Sequence, residues 1–194
     1  MKRNFNSKDG FTLVEAMVII AVITVISAQA IFSFAGLHEG SAINRSTREL
    51  ALAIRKAQNM AFAVTQVEAG GTYIIPQAVG VRLSSADKPE RYFIFADLVA
   101  GGARDNKYVA GDDAKIGSDG VFERGVKITS LKDKDGNSIP TAHIMFAAPE
   151  AVIALTDGDG NQFVSDKIDI ELKSASGRLT KTITVRTSGQ VGVK

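Results

Sequence analysis

Hydrophobic and polar positions change their pattern twice along the chain, and each change marks a different kind of element. Residues 11–35 are apolar at almost every position, with one ionisable side chain, Glu15, and no Gly or Pro. Residues 41–66 instead place apolar side chains at the spacing of one helix face. After Gly70 and Gly71 the apolar period becomes two, which is typical of β-strands. One helical stretch followed by strands predicts an α+β fold with an antiparallel sheet.

The apolar segment 11–35 is long enough to cross a membrane. A helix of about 25 residues is about 37 Å long, whereas the hydrocarbon core of a bilayer is about 30 Å thick. Lys2, Arg3 and Lys8 precede the segment, and basic flanks stay in the cytoplasm, so the carboxyl-terminal part is expected outside. An ordinary secretory signal is the alternative, but its apolar core is shorter. A carboxylate such as Glu15 within an apolar span is costly and usually functional.

Charge and cysteine content exclude several function classes. The formal net charge is +2, but the first ten residues hold three basic side chains and one acidic side chain. The rest of the chain therefore carries no net charge, and net charge gives no argument for nucleic-acid binding. The chain has no cysteine, which removes disulfides, thiolate metal sites and cysteine nucleophiles.

The second helical stretch has one apolar stripe and several charged faces. The stripe consists of Ile43, Leu50, Ile54, Ala57, Ala61 and Val64. The other faces carry Arg45, Arg48, Glu49, Arg55, Lys56 and Asn59. This pattern predicts one long helix whose first half is a membrane anchor and whose second half packs on a soluble domain. The basic side chains are interpreted as a solvated face, with phosphate binding as the alternative.

Seven short apolar runs with turn signals between them predict strands in the part of the chain after Gly71. Their positions are 79–83, 92–95, 126–128, 143–147, 151–155, 168–172 and 183–185. Residues 97–125 are rich in Gly and Asp, and we predict a long loop with little regular structure there.

The segment Gly10-Phe11-Thr12-Leu13-Val14-Glu15 resembles the type IV prepilin signature. The resemblance implies that a prepilin peptidase cuts between Gly10 and Phe11 and methylates the new amino group of Phe11. It also implies a pilin-like organisation. The expected parts are a leader at 1–10, a transmembrane and filament-core helix at 11–35, its continuation at 36–66, and a β-rich periplasmic or extracellular region at 67–194.

Glu15 has a physical role within this resemblance. An unpaired carboxylate in hydrocarbon is costly, and the amine at Phe11 of an adjacent subunit offers a partner. Assembly would then neutralise two charges that are uncompensated in the lone subunit. The alternative is a carboxylate that merely extends to the lipid headgroups. Phe32 stands where the family often has Pro, which removes the usual reason for a helix break there.

The soluble part resembles the H-type minor pseudopilins of type II secretion and the FimT/FimU-like minor pilins. The resemblance rests on residues 48–51 and 57–61 of the helix, on 79–81, 92 and 95–97, and on 184–185 and 188–191 near the end of the chain. It implies a place at or near a filament tip, where minor subunits initiate assembly.

Two segments share the pattern Asp-x-Asp-Gly-Asn, which is a weak calcium signal. The aspartates concerned are Asp133, Asp135, Asp157 and Asp159. Alternating oxygen side chains begin a calcium loop, but the Glu expected at the twelfth position is Ile144 in one segment and Ile168 in the other. Asp-Gly is also a strong hairpin-turn signal, so we favour two turns and predict no metal site.

No other motif indicates catalysis. His38 and His143 are isolated and lack a metal-ligand spacing. Ser188-Gly189 lacks the flanks of a nucleophile elbow. We therefore predict no enzyme activity and no cofactor.

The sequence favours a structural subunit, a minor pilin or pseudopilin that helps to initiate or cap assembly of a type IV pilus or a type II secretion pseudopilus. Its expected partners are prepilin peptidase, other pilin or pseudopilin subunits and the inner membrane, from which it moves into the filament. The alternative is a binding module displayed on the filament, an adhesin or a DNA-binding subunit in uptake. Nucleic-acid binding would use the basic tail, consisting of Lys173, Arg178, Lys181, Arg186 and Lys194.

Overall fold

The computed structural model describes residues 11–98, 105–147, 152–163 and 166–194, without the side chains of residues 30–37 and 152. Over these residues the chain forms one α-helix and then antiparallel strands, which confirms the predicted α+β layout. The helix, α1, spans Leu13–Phe62. The strands are β1 Val67–Ala69, β2 Thr72–Ile74, β3 Ala78–Ser84, β4 Arg91–Asp97, β5 Ala114–Val121, β6 Lys127–Lys132, β7 Thr141–Ala147, β8 Val152–Asp157, β9 Lys167–Lys173, β10 Thr180–Arg186 and β11 Val191–Val193. The chain divides into two compact units between His38 and Glu39.

The second unit, residues 39–194, is called the head here, and the helical stripe lies in its core. Ile43, Leu50, Ile54, Ala57 and Ala61 are all buried. The charged side chains predicted on the other faces of the helix are exposed. The stripe prediction is therefore confirmed up to Ala61.

Val64 does not belong to the stripe, because the helix ends at Phe62 and not at residue 66. The amide of Val64 donates to the Ala61 carbonyl, and the amide of Thr65 donates to the Met60 carbonyl, both at 3.1 Å. These two bonds form a Schellman motif, which requires a left-handed residue, here Val64 with φ 49°. The chain turns away at this point, and the Val64 side chain is 49% exposed.

The head contains two main sheets whose inner faces share one core with α1. The five-stranded sheet has the order β5-β4-β3-β7-β8, and the four-stranded sheet has the order β11-β10-β9-β6. Val81 of β3, Ile170 of β9 and Leu50 of the helix are fully buried in the same cluster. All seven predicted runs correspond to strands, but Val126 lies one residue before β6, and Ala151 is outside the described residues. The three-residue strands β1, β2 and β11 were not predicted.

The prediction of a long loop over 97–125 is wrong for its second half. Residues Ala114–Val121 form β5, which pairs with β4 across a bulge, and a 3-10 turn follows at Glu123–Gly125. The strand was missed because it is a largely exposed edge strand with polar side chains and two glycines. Positions 99–104 lie outside the described residues.

Residues 105–113, called the strap here, cover part of the outer face of the five-stranded sheet. Tyr108 packs its ring against Phe93 and Phe95, with centroids 4.8 Å and 5.4 Å away. Phe95 and Met145 are almost fully buried on this face, in a second apolar cluster apart from the main core. Gly80 lies between these two residues, since it pairs with Phe95 in β4 and with Met145 in β7.

Gly80 is expected to be essential for this packing. An added Cβ would overlap the Met145 sulfur and lie 2.8 Å from Phe95 Cζ. Overpacking of this kind costs about 1–3 kcal/mol, so Gly80→Ala should lower the free energy of unfolding by that amount. Urea unfolding of the full chain in lipid nanodiscs measures it.

Gly192→Ala is the matched control, because its added Cβ would meet no atom within 4 Å. Equal stability of the two variants would contradict the close approach at Gly80.

Candidate functional site

The amino-terminal motif begins at the start of α1. Gly10, the predicted cleavage residue, lies outside the described residues, whereas Phe11 is 76% exposed. Thr12 is the N-cap: its Oγ1 accepts a hydrogen bond from the Glu15 amide at 3.2 Å, and its carbonyl accepts one from the Ala16 amide at 3.1 Å. Thr12 thereby places Glu15 at the third helical position, which is the pattern of a capping box.

The Glu15 carboxylate is exposed at the positive end of the helix. A negative side chain in the first turn interacts favourably with the helix dipole and with the unsatisfied amides. The described residues place no cation within ion-pair distance of Glu15. Its side chain is therefore available to a group from outside the described part of the chain.

Residues 13–29 of the first unit expose apolar side chains around the helix. Leu13, Ile20 and Ile26 are 74%, 65% and 63% exposed. In the described part of the chain, no helix combines the length and the hydropathy needed to span a membrane. The span predicted at 11–35 stays a prediction.

The basic tail does not form one surface. Lys173 and Arg186 lie on the outer face of the four-stranded sheet, whereas Lys181 has the inward parity of Ile183. Lys173 forms an ion pair with Glu171 at 3.2 Å, and Arg186 lies 3.9 Å from Asp166. The tail cations therefore do not all share one face, because neighbouring positions on a strand point to opposite sides of the sheet, although Arg186 and Lys194 line the same hollow. Nucleic-acid binding by the tail stays a prediction.

The outer face of the four-stranded sheet is a network of paired charges. Asp169 accepts from Lys167 Nζ at 2.7 Å and from Thr184 Oγ1 at 2.5 Å. Burial tends to raise the pKa of Asp169, but these hydrogen bonds outweigh it and leave the pKa below its ordinary value. Cations and carboxylates on this face are thus partners of each other.

The two aspartate segments form hairpin turns of the same geometry. In the first, Asp133 Oδ1 accepts from the amides of Asp135 and Asn137, both at 2.9 Å. Asp157 makes the same contacts with Asp159 and Asn161. Gly136 and Gly160 adopt φ 85° and 89°, which the turn requires. The first carboxylate of each turn already binds backbone amides, and no group of three or more His, Asp or Glu in the described residues is placed to hold a metal.

His143 lies beneath the strap, at the start of the apolar run 143–147. It is 1% exposed, and its Nδ1 lies 2.9 Å from the Asp157 carbonyl. Because a carbonyl only accepts, Nδ1 carries the proton, and Nε2 has no hydrogen-bond partner among the described residues. Burial lowers the pKa of His143 to about 4, assisted by Arg82 and opposed by the Asp157 carbonyl bond and by the charges of Asp105 and Asp157. The neutral imidazole is a structural group of the fold.

Asp113 anchors the strap, and sequence reasoning missed it. Its Oδ1 accepts from the Leu98 amide at 3.1 Å and its Oδ2 from the Val109 amide at 2.7 Å. Thr156 adds a bond of 2.5 Å to the Asn106 carbonyl. No periodic pattern in the sequence predicts these contacts, because all of them involve residues of an irregular segment, and Thr156 and Asn106 are near each other only in the folded protein.

The comparisons with known proteins concern the amino terminus. Residues 5–28 match the family model described as the prokaryotic N-terminal methylation motif. The chain carries a type IV pilin-like prepilin signal. Such a signal implies processing by prepilin peptidase and assembly with other pilin subunits. No curated protein and no solved structure matches the chain significantly.

The buried imidazole predicts a loss of stability in mild acid. The unfolded chain binds a proton near the ordinary pKa of 6.5, whereas the folded chain binds it near 4. Stability is therefore full above pH 6.5 and falls as the pH drops from 6.5 to 4, by about 3 kcal/mol at 1.36 kcal/mol per pKa unit. Urea unfolding at a series of pH values measures this slope.

His143→Gln is the test variant, because it keeps a polar side chain that does not titrate. Between pH 6.5 and 5, above the range in which the carboxyl groups titrate, its stability should be nearly independent of pH, whatever its absolute value. An unchanged slope in the variant would assign the acid sensitivity to another group.

Proposed function

We propose that the protein is a minor subunit of a type IV filament, a minor pilin or a type II secretion pseudopilin, that helps to initiate or cap assembly. Its role is structural, with no enzyme activity and no cofactor. The observation that carries the proposal is the methylation motif over residues 5–28, together with Glu15 in the first turn of a helix capped by Thr12.

The apolar start of α1 supports two successive locations of the helix, first in the membrane and then in the filament. Before assembly, the helix lies across the inner membrane with the head in the periplasm. During assembly, the exposed apolar side chains of residues 13–29 leave the lipid and pack in the filament core. Apolar packing against neighbouring helices replaces lipid contacts at little cost, since both environments exclude water.

Pairing of Glu15 with the Phe11 amine of a neighbouring subunit gives assembly its register. A cationic amine at a helix start is disfavoured by the helix dipole, and a carboxylate in hydrocarbon is disfavoured by desolvation. Bringing the two together between subunits removes both penalties. Only one axial offset between neighbouring helices allows this contact.

The minor and tip-proximal role rests on the resemblance of the head to H-type pseudopilins and FimT/FimU-like minor pilins. Several residues that carry it are buried in the head, namely Leu50, Ala57 and Ala61 on the helix and Val79, Val81, Phe95 and Val185 in the sheets. The alternative role, a displayed adhesin or DNA-binding module, has less support, because Lys181 has the opposite parity to Lys173 and Arg186, and these two cations are paired with carboxylates. It stays a prediction.

Processing is the first test of the proposal. In membranes that contain prepilin peptidase, intact mass and amino-terminal sequencing should give a chain that starts at methylated Phe11. Without the peptidase the chain should start at Met1. Gly10→Val should block cleavage, because the scissile position has no room for a side chain, while Ser7→Val serves as the matched control. A chain that starts at Met1 in both membranes would refute processing and would indicate that residues 11–35 are only a membrane anchor.

Glu15→Leu tests assembly separately from processing. The variant should be cleaved and inserted normally, yet its amount in sheared filaments should fall by about tenfold or more, because the Phe11 amine loses its partner. Quantitative blots of the membrane and filament fractions measure both quantities. Glu49→Leu removes another exposed carboxylate of the same helix and should leave incorporation unchanged. Normal incorporation of Glu15→Leu would refute the charge-pairing role.

A further inference from the structure

Exposed apolar side chains of the head are concentrated around the end of α1 and the first hairpin. Among the described residues 39–194, nine large apolar side chains are exposed, and six of these lie between residues 52 and 75. They are Leu52, Phe62, Val64, Tyr73, Ile74 and Ile75, with exposures from 41% to 68%. Single exposed apolar residues are ordinary, whereas a cluster marks an interaction surface.

Two adjoining hollows are lined in part by Leu52, Val64 and Ile75 of this cluster and form what we call the helix-end groove. One, of about 310 Å³, lies between the helix end and residues 75–79 and is lined by Val64, Ile75 and Pro76. The other, of about 490 Å³, follows the outer side of the helix along Leu52. Met60 lines both hollows, so they form one continuous surface.

The strand β2, which has an open edge, ends at Ile74, one residue before Ile75 of the groove. Gly70 and Gly71 form a two-residue turn with φ 58° and 80°, so the flanking pair Ala69 and Thr72 is hydrogen-bonded. The next pair, Glu68 and Tyr73, is then a non-hydrogen-bonded pair, and the Tyr73 amide and carbonyl point away from β1. No described strand pairs with that side of β2. A two-stranded hairpin is marginal alone and is stabilised by a third strand.

The charged side chains that line the groove are both cations. Arg55 and Lys56 line the outer hollow, and no carboxylate lines either hollow. Both cations are exposed, and neither forms an ion pair with another described residue. The groove therefore complements a segment that carries negative charge beside its apolar side chains.

We propose that the helix-end groove and the β2 edge bind an extended segment of a partner protein in which a run of apolar side chains is followed by carboxylates. The segment adds a third strand through the Tyr73 amide and carbonyl. Its apolar side chains enter the groove, and its carboxylates pair with Arg55 and Lys56. The proposal does not depend on the filament role, since it concerns only the head.

Peptide binding to the full chain in lipid nanodiscs tests this site. The probe is a fluorescein-labelled peptide with one half of Val and Thr and the other half rich in Glu, and the comparison peptide has Lys in place of every Glu. Fluorescence anisotropy should show binding of the Glu peptide and at least about tenfold weaker binding of the Lys peptide, the difference that about 1.4 kcal/mol represents.

Matched variants separate the charge contribution from the strand contribution. Arg55→Glu with Lys56→Glu should reverse the preference between the two peptides, whereas Arg48→Glu, at an exposed cation outside the groove, should not. Tyr73→Pro removes the outward amide without removing a β1–β2 hydrogen bond and should abolish binding. Tyr73→Thr keeps the amide and should retain it. Thermal melts confirm that each variant is folded.

Three results would overturn the proposal. One is equal affinity for the Glu and Lys peptides in the unaltered chain. Another is unchanged binding in Tyr73→Pro. The third is that neither peptide binds and the chain instead self-associates, with the self-association lost in the Arg55→Glu, Lys56→Glu variant. That result would assign the surface to contact with a second copy of the chain.

Discussion

Burial of one stripe of α1 between two sheets is the interaction on which the head depends. Ile43, Leu50 and Ile54 are buried in the same cluster as the inner faces of β3, β7, β9 and β10. Each such side chain contributes about 1.5–3 kcal/mol when fully buried. The two sheets share no strand and no hydrogen-bonded edge among the described elements, so apolar contact through the common core joins them. The polar faces of the helix are thereby left to solvent, where Arg48 and Lys56 lie.

The five-stranded sheet imposes a second constraint, because both of its faces are covered over much of their area. Its inner face meets the core, and its outer face carries Phe95 and Met145 under the strap. Strands covered on both sides read as continuous apolar runs, as residues 143–147 do. Polar groups under the strap must then find partners inside the protein. The Thr156 hydroxyl donates to the Asn106 carbonyl, and His143 Nδ1 donates to the Asp157 carbonyl. His143 Nε2 has no partner among the described residues.

The strands that the sequence predicted are those with a clear period or a dense apolar run, such as β9 with Ile168, Ile170 and Leu172. The strands it missed are the polar edge strand β5 and the strands β1, β2 and β11. The last three have three residues each, which is too few to show an alternation of apolar and polar side chains. The end of the helix was placed four residues late, because Val64 continues the apolar spacing while adopting a left-handed conformation. The amino-terminal motif was found because it is local. The strap was not, since Thr156 and Asn106 are fifty residues apart and meet only in the fold.

Glu15 and Phe11 differ in when their charges arise, and this difference links processing to assembly under the proposed function. The Glu15 carboxylate is present in the precursor, held in the first helical turn by the Thr12 cap. The amine at Phe11 does not exist until the bond to Gly10 is cut, because before cleavage that nitrogen is a neutral amide. An uncleaved subunit therefore has the acceptor but lacks the donor. In the filament core its Glu15 carboxylate would be desolvated without a partner, and this penalty excludes the uncleaved subunit. In a cleaved subunit, pairing with the Phe11 amine removes the penalty.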